Sequence, residues 1–90
     1  MATMTQNEFM EQYGNVVVKF ASYYKFTFKF TGLLENGDSI SVSIGGDASD
    51  IYRMPVDVDE MTIASLPDVP FAGRVLDAAG SEVDSFYEYA

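Results

Sequence analysis

Apolar residues recur along this chain at two spacings, and each spacing implies a different element. Thr5-Gln6-Asn7-Glu8 has the form of a capping box, in which the Thr hydroxyl accepts an orphan backbone N–H and the Glu carboxylate accepts the N–H of the cap residue. A helix is therefore predicted to start at Gln6, with Phe9, Met10 and Tyr13 on one face and Gly14-Asn15 as a left-handed stop. Two patterns then compete. Phe9, Tyr13, Val16, Val17 and Phe20 fit a helix continued to about Ser22, whereas Val16, Val18, Phe20, Tyr24, Phe26, Phe28 and Phe30 occupy alternate positions. The valine run Val16-Val17-Val18 favours extended chain, bent near Ala21-Ser22, because β-branched side chains suit a pleated surface.

Tyr24 to Thr31 reads as a strand with Tyr24, Phe26, Phe28 and Phe30 on a buried face and Lys25, Thr27, Lys29 and Thr31 on the other. Parity then selects the next turn. A two-residue Asn36-Gly37 turn would set Phe30 opposite Ser43, whereas a loop of Glu35, Asn36 and Gly37 sets Phe30 opposite Val42 and Phe28 opposite Ile44. The longer loop with a bulge buries every large side chain, and Ser39, Ser41 and Ser43 then face water or a partner. Gly45-Gly46 should end that strand, Asp47 to Asp50 forms a loop or a capped turn, and Pro55 keeps 51–56 short or at an edge. Asp57-Val58-Asp59-Glu60 is an acidic turn, Met61 to Leu66 a strand, and Pro67 to Pro70 a loop. In the last hairpin a loop of Ala78, Ala79 and Gly80 would oppose Val75 to Val83, Phe71 to Tyr87 and Arg74 to Asp84. On that strand Val83, Ser85, Tyr87 and Tyr89 would face the core, and Glu82, Asp84, Phe86 and Glu88 would share the outer face.

These elements amount to an α+β fold: a single domain over residues 1–90, with one N-terminal helix packed on a mostly antiparallel sheet of about five strands built from β-hairpins. The composition supports folding, since 48% hydrophobic and 14% aromatic residues exceed what a disordered chain carries. A single small core must supply the stability, because there is no Cys to form a disulfide.

Charge narrows the function. Fourteen Asp and Glu face five Lys and Arg for a net −9, and residues 1–30 sum to +1 against −10 for 31–90. Direct binding to nucleic acid or anionic lipid is disfavoured by that balance. The aromatic strand could serve as a stacking platform for single-stranded nucleic acid, but its lysines lie on the opposite face. The lack of His and Cys excludes thiolate nucleophiles, Ser-His dyads and zinc-finger sites, and no cofactor is expected. There is neither a signal-peptide pattern nor an apolar stretch of about 18 residues, so a cytoplasmic location is expected.

Three chemistries remain for the acids. Paired carboxylates among Asp57, Asp59, Glu60, Glu82 and Asp84 could act as general acid and base, but turns and outer strand faces offer no cleft to raise one pKa, so the protein is expected not to be an enzyme. Asp57-x-Asp59-Glu60 and Asp47-x-x-Asp50 supply oxygen ligands for calcium without the alternating frame of an EF-hand loop. The favoured reading is an acidic recognition surface. Residues two apart on a strand lie roughly 6.6 Å apart, so Glu82, Asp84 and Glu88 would form a phosphate-like row around Phe86 as an aromatic anchor, with Asp57, Asp59 and Glu60 as further partner-binding acids. In charge, size and absence of catalytic residues the chain is similar to phage-encoded anti-restriction and anti-CRISPR proteins, a likeness of composition and of no motif. It implies a DNA-mimic inhibitor or adaptor that occupies the basic groove of a nucleic-acid-binding protein. The rival readings are an assembly subunit pairing through an aromatic edge strand, with self-association, and a weak calcium-binding or carboxylate-dependent domain.

Overall fold

A computed structural model describes residues 4–45, 59–66 and 71–87. Helix α1 (Gln6–Tyr13) starts as expected: the Thr5 hydroxyl accepts the Glu8 N–H at 3.2 Å, and the Glu8 carboxylate accepts the Thr5 N–H at 2.9 Å. That bond holds the Glu8 carboxyl below its usual pKa. The helix ends at Gly14, but in right-handed geometry, with φ −59°, rather than the expected left-handed stop. The Ala64 N–H donates to the Gly14 carbonyl and satisfies that end from another part of the chain.

Six strands follow: β1 (Val17–Tyr24), β2 (Thr27–Leu33), β3 (Ser39–Gly45), β4 (Glu60–Thr62), β5 (Phe71–Leu76) and β6 (Glu82–Tyr87). They form one antiparallel sheet in the order β4-β1-β2-β3-β5-β6. The fold class is thus α+β as expected, with six strands among the described residues against the expected five or so. The stretch after Val16 is extended, and its bend is a register shift between Phe20 and Ser22 that leaves Ala21 as an inserted residue.

Cross-strand rows define the two faces. Phe28–Ile44–Phe71, Phe20–Phe30–Val42–Gly73–Phe86 and Gly32–Ile40–Val75–Asp84 run across the inner face. Lys19–Thr31–Ser41–Arg74–Ser85 and Leu33–Ser39–Leu76–Glu82 run across the outer one. Helix α1 lies on the inner face, where Phe9 meets Phe71 and Phe86 at ring-centroid distances of 6.3 and 5.9 Å. Gly73 makes that contact possible, because a Cβ there would run into the Phe9 ring. Phe9, Val18, Phe30, Val42, Ile44 and Ile63 are fully buried in the resulting core.

Both loops chosen by parity form. Gly37 and Gly80 have φ of +92° and +87°, and Phe30 pairs with Val42 and Phe28 with Ile44. Three further expectations need correction. Tyr24 to Thr31 is not one strand: it turns at Lys25-Phe26, so Tyr24 pairs with Thr27 and lies on the outer face. Met61 to Leu66 is strand only to Thr62 and then a 3-10 helix at Ile63–Ser65, because the Ile63 N–H bonds to the Val16 carbonyl and the chain turns to bury Ile63. The last hairpin begins in the expected register with Leu76 opposite Glu82, but a bulge then sets Val75 against Asp84, Arg74 against Ser85 and Gly73 against Phe86. An inserted residue reverses the face of every side chain beyond it. Val83 is exposed as a result, and Phe86 joins the core. The expectations for 46–58, for 67–70 and for Tyr89 lie outside the described residues.

Candidate interaction surface

The predicted acidic row is not assembled. Glu82 lies on the outer face, where its Oε1 accepts from Nε of Arg74 at 2.8 Å. Asp84 lies on the inner face, where its carboxylate accepts a hydrogen bond from the Tyr13 hydroxyl. Burial first, and then that carboxylate, push the Tyr13 hydroxyl pKa upward. Phe86 is 4% exposed, against Phe9 and Phe71, and cannot act as a surface anchor. Asp59 and Glu60 sit at the opposite edge of the sheet, with a Glu60 oxygen 3.9 Å from the Lys19 ammonium. Cations are therefore interleaved with the expected acids, and Asp57 and Glu88 lie outside the described residues. Among the described residues, no group of three or more acids is placed to hold a metal ion. Asp47, Asp50 and Asp57 of the calcium reading are not among them.

Other described acids, Glu35, Asp38 and Asp77, lie at the end of the sheet formed by the β2–β3 and β5–β6 loops. Pairing of Ser39 with Leu76 brings the mouths of those loops together, and with them Asp38 and Asp77. Much of this acid builds the turns. Asp77 Oδ1 accepts the N–H groups of Ala79 and Ser81 at 2.9 Å each, and Asp38 accepts from the Asn36 side chain at 3.1 Å.

The other end of β1 and β2 has a different character. Lys25 and Phe26 have φ of +49° and +64°, the positive pair that a type I′ turn requires at both central positions. Neither residue suits it: a side chain with a Cβ costs roughly 1–2 kcal/mol in the left-handed region, and a bulky ring there is an outlier. Phe20, Tyr23 and Phe26 around this turn are almost half exposed, and Tyr24 is 70% exposed. The rings brace one another, with Tyr23 and Phe20 at 4.8 and 6.3 Å from Phe28, while the Lys25 ammonium lies 5.3 Å from the Tyr24 ring centroid. From Gly14 to Leu34 the chain carries Lys19, Lys25 and Lys29 and no acid at all.

No family model, no curated protein sequence and no solved structure matches this chain. Its surface must therefore be interpreted by chemistry alone.

At the base of the same hairpin, on the outer face, a hollow of about 460 Å3 is bordered by Val17, Lys19, Thr31, Gly32 and Leu33. It continues past Val17 and Leu33 into a second hollow of about 360 Å3 that reaches Asn15, Leu34 and Glu35. Leu33 is 80% exposed there. Sequence reading missed both the ring-bearing tip and this groove, because it placed the aromatic residues on one buried strand face. The available signal was charge: a stretch without acid inside a chain of net −9.

Proposed function

We propose that this chain is a non-enzymatic binding protein that contacts its partner through the β1–β2 hairpin. The observation that carries the reading is the solvent-exposed aromatic tip, held on a turn whose residues disfavour it. Scattered exposed apolar residues are ordinary, but several exposed rings around a single turn are typical of contact surfaces, where Tyr with a neighbouring cation supplies area at little entropic cost. Strain retained at an exposed turn agrees with a role outside stability.

Site-directed photocrosslinking tests this reading. A photoreactive phenylalanine analogue at Tyr24 or Phe26 is expected to give intermolecular products that the same analogue at Glu11, on the helix, does not. Products confined to a single chain, or equal yields at all three positions, would contradict it.

A second reading keeps the expected basic partner. It rests on Asp38 and Asp77 lying side by side, which would present the acidic loop end to the groove of a nucleic-acid-binding protein in the manner of an anti-restriction or anti-CRISPR inhibitor. Salt separates the two. Binding through the loop end should weaken steeply from low to physiological ionic strength and vanish in Asp38→Asn with Asp77→Asn, whereas binding through the rings should change little.

A further inference from the structure

Knob and hollow occur in the same molecule: the tip carries Lys25, and the groove carries Glu35 at one end and, at the other, Lys19, which is ion-paired with Glu60. At the tip, Tyr24 and Phe26 flank Lys25 and no acid is near in sequence. At the base, the groove over Val17 and Leu33 ends on Glu35, beside the loop that holds Asp38. We infer that the partner of the hairpin tip is a second copy of this chain: Tyr24 and Phe26 of one copy enter the Val17–Leu33 groove of the next, and Lys25 meets Glu35.

This inference rests on the proposed role of the hairpin and names its occupant. The two contacting patches lie at opposite ends of one hairpin, so the contact is head to tail and the chain can grow instead of closing as a twofold dimer. Face-to-face pairing of two hairpins would set Lys19 and Lys29 of both copies against one another, whereas head to tail Lys25 lies at the Glu35 end of the groove and Lys19, at the other end, is held by Glu60. The net charge of −9 opposes every association of copies, so growth should be easiest at moderate salt, where long-range repulsion is screened and short contacts persist.

Sedimentation velocity over a concentration series tests the arrangement. Wild type is expected to show a mass that rises with concentration. A tip variant, Tyr24→Ser with Phe26→Ser, and a groove variant, Leu33→Ser, should each remain monomeric. Mixed, these two variants retain one competent tip and one competent groove, so they should form a complex that stops at about two chains. Lys25→Glu and Glu35→Lys should each lose association and regain it when mixed or when combined in one chain. Circular dichroism of each variant checks that the fold is intact. Wild type that stays monomeric at every concentration overturns the inference, as does a mixture of the tip and groove variants that does not associate. If wild type is monomeric while Tyr24 still crosslinks to other proteins, the self-contact fails and the role of the hairpin stands. If crosslinking also fails, both are lost.

Discussion

The inner face of the sheet carries aromatic rings on β1 and β2 and again on β5 and β6, but α1 covers only the second group. Phe9 of α1 packs on Phe71 and Phe86 with tilted rings whose centroids lie 5.0–6.3 Å apart, and all three are buried. Toward the β1–β2 turn, Phe20 and Tyr23 form comparable ring contacts with Phe28 and remain exposed. The rings and the backbone pattern are alike, so what differs is the element laid on top. Ring content alone does not locate the core; a covering helix and a glycine that admits it do. The uncovered rings contribute little by burial, and their turn adds strain, which is why binding accounts for them better than stability does.

The contrast is broken most forcefully by truncating one ring from each half. Phe9→Ala should cost about 3–5 kcal/mol and Phe20→Ala much less, read from urea unfolding midpoints at constant slope. Equal costs would dissolve the distinction. Gly73→Ala should cost about 1–3 kcal/mol by overpacking against the Phe9 ring, and the loss should shrink when it is combined with Phe9→Leu, as expected for residues in contact.

Tyr13→Phe sharpens the covered half further, at about 1.5 kcal/mol for a hydrogen bond to a partly buried carboxylate. The Tyr13 pKa is raised in the folded state, so the folded protein holds this proton more tightly than the unfolded chain. Its contribution is fully present below the ordinary tyrosine pKa of 10.0 and is lost as pH rises above it. Unfolding measured from pH 8 to 11 should therefore show a steeper alkaline decline in wild type than in Tyr13→Phe, and parallel curves would refute the linkage. Thr5→Ala, which removes the cap that starts the covering helix, should cost about 1 kcal/mol and leave the exposure of the tip unchanged, as judged by tyrosine fluorescence quenching.

Legibility in the sequence followed the turn chemistry. The β2–β3 and β5–β6 loops were readable because Asn36-Gly37 and Ala79-Gly80 provide a glycine where positive φ is needed, and parity fixed the loop length. The β1–β2 turn was not readable, since Lys25-Phe26 carries none of those residues and the alternation of rings runs straight through it. The face of β6 was lost for a similar reason. A bulge has no residue signature in this strand, yet it moved Phe86 into the core and put Glu82 and Asp84 on opposite sides. The acidic row relied on that parity, so a single inserted residue removed it. What could be read without any register was the acid-free stretch from Gly14 to Leu34, and it coincides with the proposed contact surface.

The central claim is that the β1–β2 turn keeps its rings for contact at the expense of stability. Replacing Lys25-Phe26 by Asn-Gly tests it directly, with unfolding free energy and association measured on the same sample. The account predicts a gain of about 1–3 kcal/mol from relieving two left-handed side chains, together with loss of intermolecular crosslinking at Tyr24. A variant that is no more stable than wild type, or one that is more stable and still crosslinks as well, would contradict it.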